Sequence, residues 1–147
     1  MGQKYNYGKR SVESLDTCHK DLQLIAYEAI KVSDVDFGIS EGHRALERQK
    51  KLYDEKKSRI DGISQKGKHN YIPSLALDVY AYVNGKASWE VKDLTYIGGV
   101  MTSTAHRLYD EGKITHILRW GANWDNDGVI MDDQTFQDLP HFELLKP

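Results

Sequence analysis

Residues 75–83, LALDVYAYV, form an apolar, strand-like run that Asp78 interrupts, and are followed directly by Asn84-Gly85. Such a run before Asn-Gly marks a strand entering a tight hairpin, so the chain is expected to build at least part of an antiparallel sheet. Leu75, Leu77 and Val79 point to one face of that strand. Asp78 then points to the other face, inside a run where a carboxylate is costly to bury without a partner.

Around this strand the periodicities mix. Ser14 and Asp16-Thr17 offer caps for a first helix, in which Cys18, Leu22, Ile25, Ala29 and Ile30 keep helical spacing to about Val32. Phe37 to Glu41 reads as a short strand ending at Gly42, and Arg44 to about Lys57 as a second helix. Residues 58–73 contain Gly62, Gly67 and Pro73 with little periodicity and read as a working loop. A third helix is expected over Val91 to Asp110, although Gly98-Gly99 weakens it by about 1 kcal/mol per glycine. Ile114 to Trp120 reads as a strand, residues 121–135 as an acidic loop, and His141 to Leu145 as a final strand. With no βαβ rhythm, repeat or linker, the expectation for residues 1–147 is one α+β domain: a small, mainly antiparallel sheet packed with about three helices.

Bulk properties exclude several function classes. A net charge of −2 gives no whole-molecule case for binding nucleic acid or an anionic membrane. The lone Cys18 excludes an internal disulfide and a multi-thiolate zinc site. A polar N-terminus and the lack of any long apolar run predict neither a secretory signal nor membrane insertion.

His69, Asp78 and His141 form a plausible metal set, since catalytic zinc takes three protein ligands and keeps one position open. Two histidines with one carboxylate suit Zn²⁺ better than Ca²⁺ or Mg²⁺, which prefer all-oxygen shells. The residues alone also fit a hydrogen-bonded histidine and a strand aspartate paired with Arg or Lys. His19, His106 and His116 read as structural, and His43 as a neighbour of the site. Residues 123–128, NWDNDG, with Asp132-Asp133 beyond, gather acids around a turn glycine; Asp125 and Asp127 are a candidate Ca²⁺ site, against the alternative of a solvated turn.

Four segments occur in one order: GHR at 42–44, KHNYIPSLALDVYAYVNGKASW at 68–89, RWGANWDNDG at 119–128 and DLPHFEL at 138–144. Together they resemble the zinc L-alanyl-D-glutamate endopeptidases used as phage endolysins. These belong with the D-alanyl-D-alanine carboxypeptidases and vancomycin-resistance D,D-dipeptidases, and the resemblance spans about Gly8 to Leu144. It implies a D-Ala-D-Ala carboxypeptidase/hedgehog-like fold with one Zn²⁺ per chain on His69, Asp78 and His141. It further implies Asp138 as the catalytic carboxylate and Arg44 on the oxyanion. Glu143, two residues along a strand from His141, is the competing base. Tyr71, Ser74 and Trp124 are candidate substrate contacts. The group's S-x-H-x6-D pattern is altered twice: eight residues separate His69 from Asp78, and Gly67 replaces the serine.

The implied activity is cleavage of the L-Ala–D-Glu bond in peptidoglycan stem peptides by a monomer without a separate wall-binding domain. Such an enzyme would be made in the host cytoplasm and reach the wall after another protein opens the membrane. A D-Ala–D-Ala carboxypeptidase or dipeptidase on the same scaffold, and a non-catalytic wall-binding protein, are the alternatives.

Overall fold

The computed structural model describes residues 2–58, 60–62, 66–126, 128 and 138–147. The helices are α1 (Lys9–Asp16), α2 (Lys20–Val32), α3 (Leu46–Asp54) and α4 (Val91–Asp110). The strands are β1 (Asp36–Glu41), β2 (Ala76–Val83), β3 (Lys86–Ser88), β4 (Ile117–Gly121) and β5 (Asp138–Leu145), and Lys68–Asn70 forms a single 3-10 turn. The strands pair antiparallel in the order β1-β2-β5-β4, with β3 on the second half of β2. Asn84 and Gly85 have φ of +53° and +77°, the left-handed pair that a two-residue hairpin turn between β2 and β3 needs.

Register determines what the sheet presents. Asp78 on β2 stands opposite His141 on β5 and opposite Glu41 on β1. One pleat away, Arg119 on β4 stands opposite Glu143 on β5, which in turn pairs with Ala76. The polar row and the core row therefore alternate along the same strands: Leu77, Val79, Phe142 and Leu144 are all buried in the hydrophobic core. Helix α4 packs across β2, β4 and β5, with α2 against it and α1 against β1.

The α+β class and the antiparallel sheet are as expected, with four α-helices among the described residues where about three were expected. The expected first helix is two. Ser14 lies inside α1, and the N-cap of α2 is His19, whose Nδ1 accepts the Asp21 N–H at 3.0 Å. The α1 stretch KRSVESLD escaped detection because it is short and polar; only Ser11 and Leu15 are buried. Ser11 Oγ accepts the Ile39 N–H at 3.0 Å, docking this helix on β1 through a polar contact that hydrophobic periodicity does not register.

Helix α3 is shorter than its expected span, β4 begins at Ile117 rather than Ile114, and β5 begins at Asp138 rather than His141. Gly98 does not break α4. A side chain there would sit 2.2 Å from the Trp120 ring, so the glycine lets helix and sheet approach. The same indole donates to the Leu139 carbonyl at 2.7 Å, fastening the chain just before Pro140 and His141.

Candidate metal centre and active site

Strand pairing sets Asp78 and His141 side by side, and the 3-10 turn brings His69 to them from outside the sheet. His69 Nε2 lies 3.2 Å from Asp78 Oδ1 and 3.3 Å from His141 Nδ1, and His141 Nδ1 is 3.1 Å from the same carboxylate oxygen. Three donors about 2.0–2.1 Å from a tetrahedral zinc would lie about 3.3 Å from one another. The triangle formed by these side chains is that size, and its donor set is one that zinc accepts.

Each imidazole is oriented by its other nitrogen. His69 Nδ1 is 2.7 Å from the Gly42 carbonyl, to which it donates, leaving Nε2 for the triangle. His141 Nε2 donates to Glu143 Oε1 at 2.7 Å, so its Nδ1 faces inward. Glu143 is held in turn by Arg119 Nη2 at 2.7 Å. Although burial works against charge on His141, hydrogen bonds to Asp78 and Glu143 more than compensate and push its pKa up to about 10. Burial raises and His141 and His69 lower the Asp78 pKa, and the hydrogen bonds win, holding it well below the carboxylate range. Glu143, opposed by burial but bonded to His141 and Arg119, is held down at about 2. The cluster thus calls for positive charge at its centre, which a bound cation supplies as well as a proton does.

The three candidate ligands share one cavity of about 510 Å³ with Arg44, Asp138, Tyr71 and Trp124. Arg44 presents its fork to Glu41, at 2.9 and 2.8 Å, and donates to Gln49 Oε1 at 2.9 Å, while Nη2 lies 3.5 Å from Asp78. Its backbone N–H donates to the His69 carbonyl at 2.7 Å, so arginine and histidine are positioned together. Asp138 opens β5. Burial first, and then the nearby Asp78, raise its pKa against the pull of His141, His69 and Arg44. Trp124 sits 5.6 Å from the His141 ring, and Tyr71 takes Lys66 over its face at 4.4 Å.

Ser74 is not part of this cavity. It is fully buried; its Oγ donates to the Ala76 carbonyl at 2.6 Å, and its backbone bonds to Thr17 and His19. A serine between a loop and a strand reads equally as contact or fastener from sequence, and here it fastens. Glu143, the competing base, is occupied by His141 and Arg119. Asp125 is exposed, and Asp127 and Asp132-Asp133 of the candidate calcium loop lie outside the described residues.

Sequence reasoning missed Arg119, Glu41 and Gln49. Arg119 carries Glu143 and lies 5.4 Å from the Trp124 ring, and Glu41 and Gln49 hold Arg44. The available signal was weak: Arg119 is a charged residue inside the apolar strand β4, Glu41 ends β1, and Gln49 is one polar residue on the buried side of α3.

A model of the family described as phage L-alanyl-D-glutamate peptidase matches residues 3–145. The L-alanyl-D-glutamate peptidase of Escherichia phage T5 is 32% identical over 144 residues, covering 96% of this chain and 98% of that protein. The crystal structure of the Serratia marcescens L-Ala D-Glu endopeptidase ChiX superposes with a TM-score of 0.73 at 27% identity, over 95% of this chain and 90% of that one.

Proposed function

Since the chain belongs to the phage L-alanyl-D-glutamate peptidase family, we propose that it cuts the L-Ala–D-Glu bond of peptidoglycan stem peptides at the His69–Asp78–His141 centre, with one Zn²⁺ held there. The observation that carries this reading is the ligand triangle, with edges of 3.1, 3.2 and 3.3 Å. Bound zinc would supply Lewis acidity, lowering the pKa of water to about 7 and polarising a carbonyl.

The protein's own groups then divide the remaining work. Asp138, with its raised pKa, takes the proton of the attacking water and delivers one to the leaving amine. The Arg44 guanidinium, fixed by Glu41 and Gln49, stabilises the oxyanion without having to reorganise. Glu143 and Arg119 keep His141 in the tautomer that turns Nδ1 inward. Around the mouth, Arg48, Lys57, Lys66 and Lys68 offer cationic partners for the carboxylates of an acidic stem peptide, and Tyr71 and Trp124 offer ring faces. In a phage this activity serves host lysis from inside, after the inner membrane has been opened.

Digestion of purified peptidoglycan, with fragment masses and new termini determined, tests the proposal. Products beginning at D-Glu and ending at L-Ala, lost on chelation and restored by zinc, are expected. Release of free D-Ala would favour the carboxypeptidase alternative, and zinc binding without cleavage the wall-binding one.

A further inference from the structure

A second cluster with the same side chains lies where the start of α2 meets the segment leading into β4. His19, Asp21 and His116 offer ligand atoms within 4.8 Å of one another; this and the His69–Asp78–His141 cluster are the two such histidine–aspartate–histidine groups among the described residues.

The likeness extends to geometry. In each cluster one imidazole has its Nδ1 bonded to the backbone, but in opposite roles: His69 Nδ1 donates to the Gly42 carbonyl at 2.7 Å, whereas His19 Nδ1 accepts the Asp21 N–H at 3.0 Å. In each, the second imidazole meets the aspartate through Nδ1, His141 at 3.1 Å from Asp78 and His116 at 2.9 Å from Asp21. The two rings meet edge-on in both places, with centroids 5.1 Å apart at 64° in the first and 4.8 Å apart at 66° in the second.

Asp21 is 3% exposed and is held in place by the Thr115 N–H at 3.0 Å and the Thr115 hydroxyl at 3.3 Å. The His116 side chain is 23% exposed and His19 is half-buried, so an ion can arrive from solvent. Neighbouring Cys18 takes no part, its sulfur being buried against the Ser14 and Ala76 carbonyls.

We infer that His19, Asp21 and His116 form a second divalent-metal site, suited by its two imidazoles and one carboxylate to Zn²⁺. A bound ion would take the place of the proton between His116 Nδ1 and Asp21, which leaves to solvent, and would take the His19 Nδ1 lone pair in place of the Asp21 N–H, fastening the start of α2 to the chain entering β4. The histidines read from sequence as structural are on this account structural through a metal.

The test is equilibrium dialysis against zinc followed by metal analysis, on the intact chain and on variants. The intact chain should take up about two zinc ions, His69→Ala about one, and His69→Ala combined with His116→Gln none. In the His69→Ala background zinc should also raise the melting temperature, and should fail to do so once His116→Gln is added. His19→Asn, which keeps an N-cap oxygen, should lose the same equivalent while melting in chelator like the parent chain. His116→Gln alone should keep peptidase activity. One zinc in the intact chain and none in His69→Ala would overturn the inference, as would an equivalent that survives both His116→Gln and His19→Asn.

Discussion

The two halves of the candidate metal centre are built by different means. Asp78, His141, Glu143 and Arg119 stand on paired strands whose register is locked by Leu77, Val79, Phe142 and Leu144 on the buried face. A slip of one residue would turn all of them over at once, so this half is as secure as the core. His69 and Arg44 sit outside the sheet and depend on hydrogen bonds: the Gly42 carbonyl, the Arg44 N–H to His69 carbonyl bond, Asn70 Nδ2 to the Arg44 carbonyl, the Glu41 fork and Gln49. The sheet half thus inherits its precision from packing, and the loop half from hydrogen bonds.

Variants can break this contrast. The largest effect is expected from Asp138→Asn, at the edge of the sheet half: a fall in kcat of about 10²–10⁴-fold with bound metal unchanged. Full activity would return the role of base to Glu143. Arg44→Lys, in the loop half, should lower kcat by about 10²–10³-fold, because an ammonium cannot keep the fork on Glu41 and also face the substrate; steady-state kinetics with a defined muropeptide would read it.

Glu143→Gln leaves the catalytic groups in place but loosens His141, so zinc affinity should fall by about 10–100-fold in competition with a chromogenic chelator. An unchanged affinity would mean that strand register alone orients the ring.

The smallest effect concerns pH. Burial raises the Glu41 pKa, but hydrogen bonds from Arg44 and Arg48 outweigh it, and the group ends below its usual 4.5. The stability it contributes is therefore full above pH 4.5 and is lost as pH falls through the depressed value. Glu41→Gln should accordingly flatten the acid limb of a urea-midpoint profile, and an unaltered limb would place the loop's acid sensitivity elsewhere.

Much of this was legible in the chain. The apolar β2 run, the Asn84-Gly85 turn, α4 and the polar break at Asp78 are local patterns, written over a few residues by side-chain direction and backbone preference. His69, Asp78, His141, Arg44 and Asp138 were named from motif order, and all of them line one cavity. Ser74 lies outside that cavity, its hydroxyl turned to the Ala76 carbonyl, because a hydroxyl carries no mark in the sequence of where it will point. α1 was missed because its anchor, Ser11 to Ile39, joins residues 28 apart.

By itself, then, the sequence determined most of the elements and the candidate chemistry, since both depend on residue type and near-neighbour spacing. Only the tertiary structure decided that Glu143 would bond to His141, that Arg119 would hold Glu143, and that His19 and His116 would meet around Asp21. Those roles depend on strand register and on contacts between residues far apart in the chain, which the packed core brings together.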